Sequence, residues 1–183
     1  MAASRTADWY AERLTPPRPG SRPGVVIDTD AANEIDDPFA LAWALLSPER
    51  LDVQAVYAAP FSFAHRLDEM RRARAARDAP QRASAFELAL LRQHGARLAR
   101  HEQRHGSLDA IAHWPVFCTP AEGMARSFDE IVRVFERLRL PHAGRVWRGS
   151  ARYLEHAQDA LRSDALEHLV SLALATPADA EPL

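Results

Sequence analysis

Residues 25–46 read VVIDTDAANEIDDPFALAWALL. Asp28, Asp30, Glu34, Asp36 and Asp37 crowd between two apolar runs. Carboxylates cannot be buried without partners, so the chain must turn at the surface here and run inward on both sides. The first run, GVVIDTD, is short, β-branched and bounded by Pro23-Gly24, which predicts a buried parallel strand. The second, DPFALAWALL, predicts a helix with Asp37 as N-cap and Pro38 at the first helical position. Trp43 lies on its apolar face and is expected in the core. SPER ends the helix, and LDVQAVYAAP predicts a second strand. A strand, a helix and a strand in this order make a βαβ unit. The fold class expected is therefore α/β, Rossmann-like, with a mainly parallel sheet flanked by helices.

The same alternation returns later in the chain. TPAEGMARSFDEIVRVFERL opens with Thr119 as N-cap, Pro120 at the first helical position and Glu122 in the first turn. Ile131, Val134, Phe135 and Leu138 form its expected buried face. GRVWRGS predicts a third short strand, and SDALEHLVSLAL a helix capped by Ser163. The final EPL has the character of a further strand's first residues, so the sheet is expected to be incomplete at that point.

Between about 63 and 114 the composition changes to Ala and Arg, broken once at Asp78-Ala79-Pro80. Two amphipathic helices are expected, with Leu88, Leu91 and Leu98 in one stripe and Arg and His outside. This segment is read as a helical insertion on a domain spanning 24–183, preceded by a loosely docked leader at 1–23. Its arginines are interleaved with Asp68, Glu69, Asp78, Glu87 and Glu102. That favours a solvated helical face over a nucleic-acid surface. His101 and His105 have i, i+4 spacing, but no third ligand accompanies them and they are read, with His94, as solvated.

Composition bounds the remaining classes. A chain of 183 residues with 47% hydrophobic residues and a net charge of −2 fits one ordinary globular domain. No window approaches a membrane span, and the N-terminus lacks a secretory signal's apolar core. A cytoplasmic location is expected. Cys118 is the one cysteine, which excludes an internal disulfide and multi-Cys metal sites. Cys118 and Met124 are expected to pack rather than react. Trp147 and Tyr153 are candidates to line a pocket or cover the sheet edge.

The position of the acidic cluster carries the functional reading. Open parallel sheets bind ligands outside the carboxyl ends of their strands. Asp28 and Asp30 stand where the first strand ends, and Asp36 and Asp37 where the helix begins. Carboxylates gathered this closely raise one another's pKa or bind a cation, and an oxygen-only set suits calcium or magnesium.

The segment Asp28-Thr-Asp30, Ala31-Ala32-Asn33-Glu34-Ile35, Asp36-Asp37 resembles the N-terminal signature of the inosine/uridine-preferring nucleoside hydrolase family. The usual form there is D-x-D-P-G-x-D-D, and the spacing here is two residues longer. LDVQAVYAAPFSF, TPAEGMARSFDEIVRVFERL, RVWRGSARYL and SDALEHLVSLAL follow in the family's order, so the likeness covers most of 24–62 and 119–183. The resemblance implies hydrolysis of a ribonucleoside N-glycosidic bond to ribose and free base, as in purine or pyrimidine salvage. It implies Asp30 as general base and calcium ligand, and Asp37 as a second Ca2+ ligand. Asp36 would hydrogen-bond a ribose hydroxyl or orient the water, Asn33 and Glu34 in the longer loop would touch the sugar, and Asp28 would support the shell from behind. The family's second half supplies further ligands and a His near the base. An Asn expected after the second strand is replaced by Ala58-Ala59-Pro60-Phe61. The chain therefore matches the N-terminal portion of such a domain.

Two alternatives stand beside this one. A haloacid-dehalogenase-type phosphohydrolase also carries D-x-D after its first strand, but wants Gly and Thr or Val where Ala31-Ala32 stand. A truncated, inactive domain of the same fold would act through binding or not at all. Its exposed sheet edge would favour homo-oligomers.

Overall fold

The computed structural model describes residues 6–15, 18, 20–154, 156 and 161–176. The EPL segment lies outside them. The described residues form a three-stranded parallel sheet in the order β1-β2-β3, with β1 at Gly24–Thr29, β2 at Asp52–Ala58 and β3 at Val146–Arg148. Helix α1 is Ala7–Arg13, within the leader, and α2 is Asp37–Leu45 between β1 and β2. Helices α3 (Ala64–Asp78) and α4 (Ala85–His105) follow β2, then α5 (Pro120–Arg137), β3 and α6 (Asp164–Ala175). The architecture is α/β, as the alternation predicted.

The expected buried first strand is only half-buried. It lies at an edge of the sheet, and the central β2 is the buried strand, with Ala55, Val56 and Ala58 fully enclosed. The pairing shifts between Val25 and Val26, so that Val25 faces Val53 while Val26 faces Ala55, with Gln54 as the extra residue. An extra residue reverses which face each later side chain meets. Val53, Val56 and Ala58 therefore pack on one face, and Ala55 and Tyr57 on the other.

Helices α2 and α5 cover the first face. Ile131, Val134 and Phe135 of α5 meet Leu41 and Leu45 of α2 and Val53, Val56 and Val146 of the sheet, with Leu138 at the margin. These α5 residues are the face the sequence predicted. The helix starts with a complete capping box: Thr119 Oγ1 accepts from Glu122 N, and the Glu122 carboxylate accepts from Thr119 N at 2.8 Å. Such reciprocal caps satisfy two otherwise orphaned donors. Ser163 caps α6 in the simpler manner, accepting from Leu166 N. Helix α6 lies on the other face, where Ala165 meets Ala55 and Tyr57.

Helices α3 and α4 pair with each other around a separate core of Leu67, Met70, Leu98, Leu108 and Ile111. The break near Asp78-Pro80 is a 3₁₀ turn at Pro80–Arg82. The buried side of α4 is Leu90, His94 and Leu98, with Leu88 and Leu91 half-buried. His94 is thus inside, contrary to the expectation of a solvated histidine. Its Nε2 stands 3.1 Å from Glu69 Oε2 but off the line of a hydrogen bond. Glu69 of α3 is thus the acidic group facing His94 across the helix pair.

Trp43 also departs from expectation, being 77% exposed. Helix α2 is apolar nearly all round, and only its Leu41/Leu45 side turns to the sheet. Phe39, Trp43 and Leu46 are left on the solvent side with Ile35. Leu166, Leu169, Val170 and Leu174 of α6 form a second exposed apolar stripe. No helix among the described residues is long and apolar enough to cross a membrane.

Candidate functional site

The carboxyl end of β1 and the start of α2 meet in a turn that is tied from both sides. Thr29 is the last strand residue, and its hydroxyl donates to Asp37 Oδ2 at 2.5 Å. Asp30 follows it, and its Oδ2 accepts from the Asn33 side-chain amide at 3.0 Å. The Asp30 carbonyl also accepts from Asn33 N at 2.7 Å, closing a tight turn over Asp30–Asn33. One backbone bond and one side-chain bond thus join Asn33 to Asp30, residue types that turns favour. Ala31 is buried in the turn and packs on the main core.

The N-cap of α2 is Asp36, one residue earlier than predicted, with Asp37 and Pro38 inside the first turn. The Asp36 carbonyl accepts from Phe39 N and Ala40 N, while its side chain makes no capping bond. The Asp37 carboxylate is committed instead to Thr29, which explains the shifted start. Both acids still lie at the positive end of the helix, where negative charge is favoured.

Asp28 faces the opposite side of the sheet. It pairs in register with Tyr57, whose hydroxyl lies 2.9 Å from His168 Nδ1 of α6. Partial burial, and then the charge of Asp30, push the Asp28 carboxyl above its ordinary value, although the residue keeps a solvent face. Burial, and then Asp28, likewise raise the Tyr57 hydroxyl. A carboxyl whose pKa is raised on folding holds its proton more tightly in the folded state. Its contribution to stability is full below the unfolded value near 3.8 and is lost as pH rises through the folded value. Asp28→Asn is therefore expected to raise the melting temperature at pH 7. The gain should shrink as pH falls and vanish by about pH 3, where both states of Asp28 are protonated. Thermal melts of both proteins across that range check it.

Two cavities flank the turn. One of about 660 Å³ runs between the turn and α5, lined by Asn33, Glu34, Phe39, Val134 and Arg137 among others. A smaller one of about 210 Å³ is lined by Ile27, Asp28, Thr29, Asp37 and Leu41. Asn33 lines the first and Asp37 the second. Asp30 and Asp36 line neither, so the predicted residues gather around one turn without sharing one cavity.

A calcium ion needs six to eight oxygens. Among the described residues, no three or more His, Cys, Asp or Glu side chains converge where a metal ion could sit. Asp30 and Asp37 each already spend one carboxylate oxygen on a hydrogen bond. The described side chains therefore do not make a calcium cage by themselves.

Two glycines shape the neighbouring strand ends and carried no weight in the sequence reading. A Cβ on Gly123 would fall 2.0 Å from the Phe61 carbonyl oxygen, and one on Gly149 would fall 2.3 Å from that of Ala58. Gly149 N donates to that same Ala58 oxygen at 3.1 Å. The helix α5 and the end of β3 thus lie directly against the segment that leaves β2. A glycine inside a helix that otherwise favours good helix formers is the signal available in sequence. Cys118 packs as expected, buried with its Sγ 3.6 Å from the Phe61 carbonyl oxygen.

No protein-family model matches this chain, and no curated protein and no solved structure shows significant similarity to it.

Proposed function

We propose that this chain is the N-terminal portion of a nucleoside-hydrolase-type domain, Rossmann-like, with α3 and α4 as its helical insertion. The activity proposed is hydrolysis of a ribonucleoside's N-glycosidic bond. The observation that carries the reading is the Thr29–Asp37 hydrogen bond, which draws the second half of the acidic motif back to the end of β1. The carboxyl end of a parallel strand is where such sheets place their ligands. The uncovered apolar stripes on α2 and α6 support a domain with more elements than those described, since a doubly wound sheet covers such faces.

In this reading Asp30 takes the proton of the attacking water. Asp36 and Asn33 hydrogen-bond the ribose hydroxyls at the turn, and the cavity beside Asn33 takes the base. The departing base leaves positive charge on the sugar ring, as in glycoside hydrolysis. Asp30, Asp36 and Asp37 around one turn supply the negative potential that stabilises this charge. Asp30 and Asp37 would be the side chains that hold a calcium ion in this reading, and its remaining oxygens would have to come from beyond the described side chains. The site belongs to a cytoplasmic enzyme of nucleoside salvage in this reading.

Release of free base from inosine and uridine, with inorganic phosphate release from p-nitrophenyl phosphate as comparison, is the direct test. Base release is expected, with a loss of about 10²–10⁴-fold in Asp30→Asn. Phosphate release without base release would favour the phosphohydrolase instead. A folded protein that releases neither would leave the inactive-domain reading standing. A calorimetric Ca2+ titration separates the metal from the chemistry. Saturable binding lost in Asp37→Ala supports the calcium assignment, and equal heats in both proteins remove it.

A further inference from the structure

The α3–α4 pair carries a second cavity that the acidic turn does not use. It measures about 270 Å³ and opens between the start of α3, the C-terminal half of α4 and the 3₁₀ turn at Pro115–Phe117. Its walls are aromatic: Phe63, Trp114 and Phe117 line it, with His101. The Trp114 and Phe117 rings are stacked, 9° apart in plane with centroids 6.4 Å apart. His101 meets Trp114 edge to face at 5.9 Å, and His105 meets it at 5.0 Å.

The turn that presents these rings is fixed. Phe63 N donates to the Val116 carbonyl at 2.8 Å, and Arg126 Nη1 donates to that of Pro115 at 2.6 Å. Behind it lies the Leu67, Met70, Leu98, Leu108 and Ile111 core. A rigid aromatic wall on a packed base suits recognition of a flat ring.

The charges at this cavity are all of one sign. Arg66 and Arg97 line it. On α3, Arg71, Arg72, Arg74 and Arg77 have acidic partners, whereas among the described residues Arg92, Arg100 and Arg104 of α4 have none. Among the described residues neither Arg66 nor Arg97 has a carboxylate within ion-pair distance. The Arg66 guanidinium lies 4.2 Å above the Phe63 ring, which leaves its N–H edges free to donate. Burial, and then the neighbours His105, Arg97, Arg100 and Arg104, hold His101 below its ordinary pKa. A positive potential with no internal counter-ion favours an anion, and the aromatic walls favour a ring.

We propose that this cavity binds a small aromatic anion, a single or fused ring bearing one carboxylate or phosphate. Arg66 and Arg97 take the anionic group, and Phe63, Trp114 and Phe117 hold the ring. The volume is just under the roughly 300–1,000 Å³ of drug-sized sites, which limits the ligand to one ring system with one small charged group.

Calorimetric titration of the full chain with 2-naphthoate, 2-naphthyl phosphate and the neutral 2-naphthamide tests this. One saturable site for at least one of the two anions is expected, with the amide at least about tenfold weaker. The tighter of the two anions identifies the group recognised. Arg97→Gln changes an exposed side chain and should leave the fold intact. It is expected to weaken the anion by about tenfold and to leave the amide unchanged, whereas Trp114→Leu should weaken both. The proposal is overturned if the amide binds as tightly as the anions, if none of the three binds, or if Arg97→Gln leaves anion affinity unchanged.

Discussion

Gly123→Ala is expected to destabilise the protein by at least about 2 kcal/mol, against the ordinary preference of helices for alanine. In an open helix the exchange would gain up to about 1 kcal/mol. Position 123 is not open: the new methyl would lie 2.0 Å from Phe61 O, 2.8 Å from its N and 2.9 Å from its carbonyl carbon. All three are backbone atoms, so no rotamer change relieves the contact. Either α5 or the segment after β2 must shift, and overpacking of that kind costs more than the helix gains. Gly95→Ala in α4 is the internal control, because its methyl would meet only Leu91 Cδ1, at 3.6 Å. Urea denaturation should show the Gly123 variant unfolding earlier and the Gly95 variant at the same concentration or later. Midpoints moving in the same direction would mean that the close approach of α5 to Phe61 is absent in solution. Since Phe61 follows the end of β2, the Gly123 variant is also expected to perturb the strand ends that flank the acidic turn.

Phe135→Ala is expected to cost more still, about 3–5 kcal/mol. The ring is fully buried between α5, α2 and the sheet, and the Arg145 guanidinium lies 5.2 Å from its centroid. The loss combines the transfer of the aromatic group with the cavity left behind, since the neighbouring strands cannot close over it. Against a total stability of about 5–15 kcal/mol for a domain of this kind, the variant is left marginal. Phe135→Leu fills most of the space and should cost well under half as much. Guanidinium melts of the three proteins measure the series. Near-equal stabilities would place Phe135 outside the core.

The capping signals at Thr119 and Ser163 were legible in sequence because a cap is decided within four residues. The same rule applies to the Ser84–Glu87 capping box at the start of α4, a signal that leucine spacing does not carry. The face of α5 was legible too, since its apolar residues occupy one side and its charges the other. Helix α2 has no such contrast. FALAWALL is apolar all round, so periodicity could not say that Leu41 and Leu45 turn inward and that Trp43 faces solvent. His94 was misplaced for the converse reason. Its burial follows from the pairing of α3 with α4, which brings Glu69 opposite it and which spacing within α4 does not reveal.

The candidate site divides along the same line. Its location follows from local order alone: a β-branched run, acidic residues and then a helix start place the carboxylates at a strand end whatever the rest of the chain does. Which acid caps the helix, which one Thr29 holds, and the turning of Asp28 toward Tyr57 on the far face depend on register and on the rotation of α2 against the sheet. Those are set by packing between segments distant in sequence. The bulge at Gln54 illustrates the point, because one extra residue in β2 exchanges the faces of every residue after it. Element type and caps are short-range properties that the amino-acid order determines directly. Faces, close glycine contacts and the separation of Asn33 and Asp37 into two cavities arise only when helices and strands are pressed together, because there steric exclusion rather than local propensity chooses the arrangement.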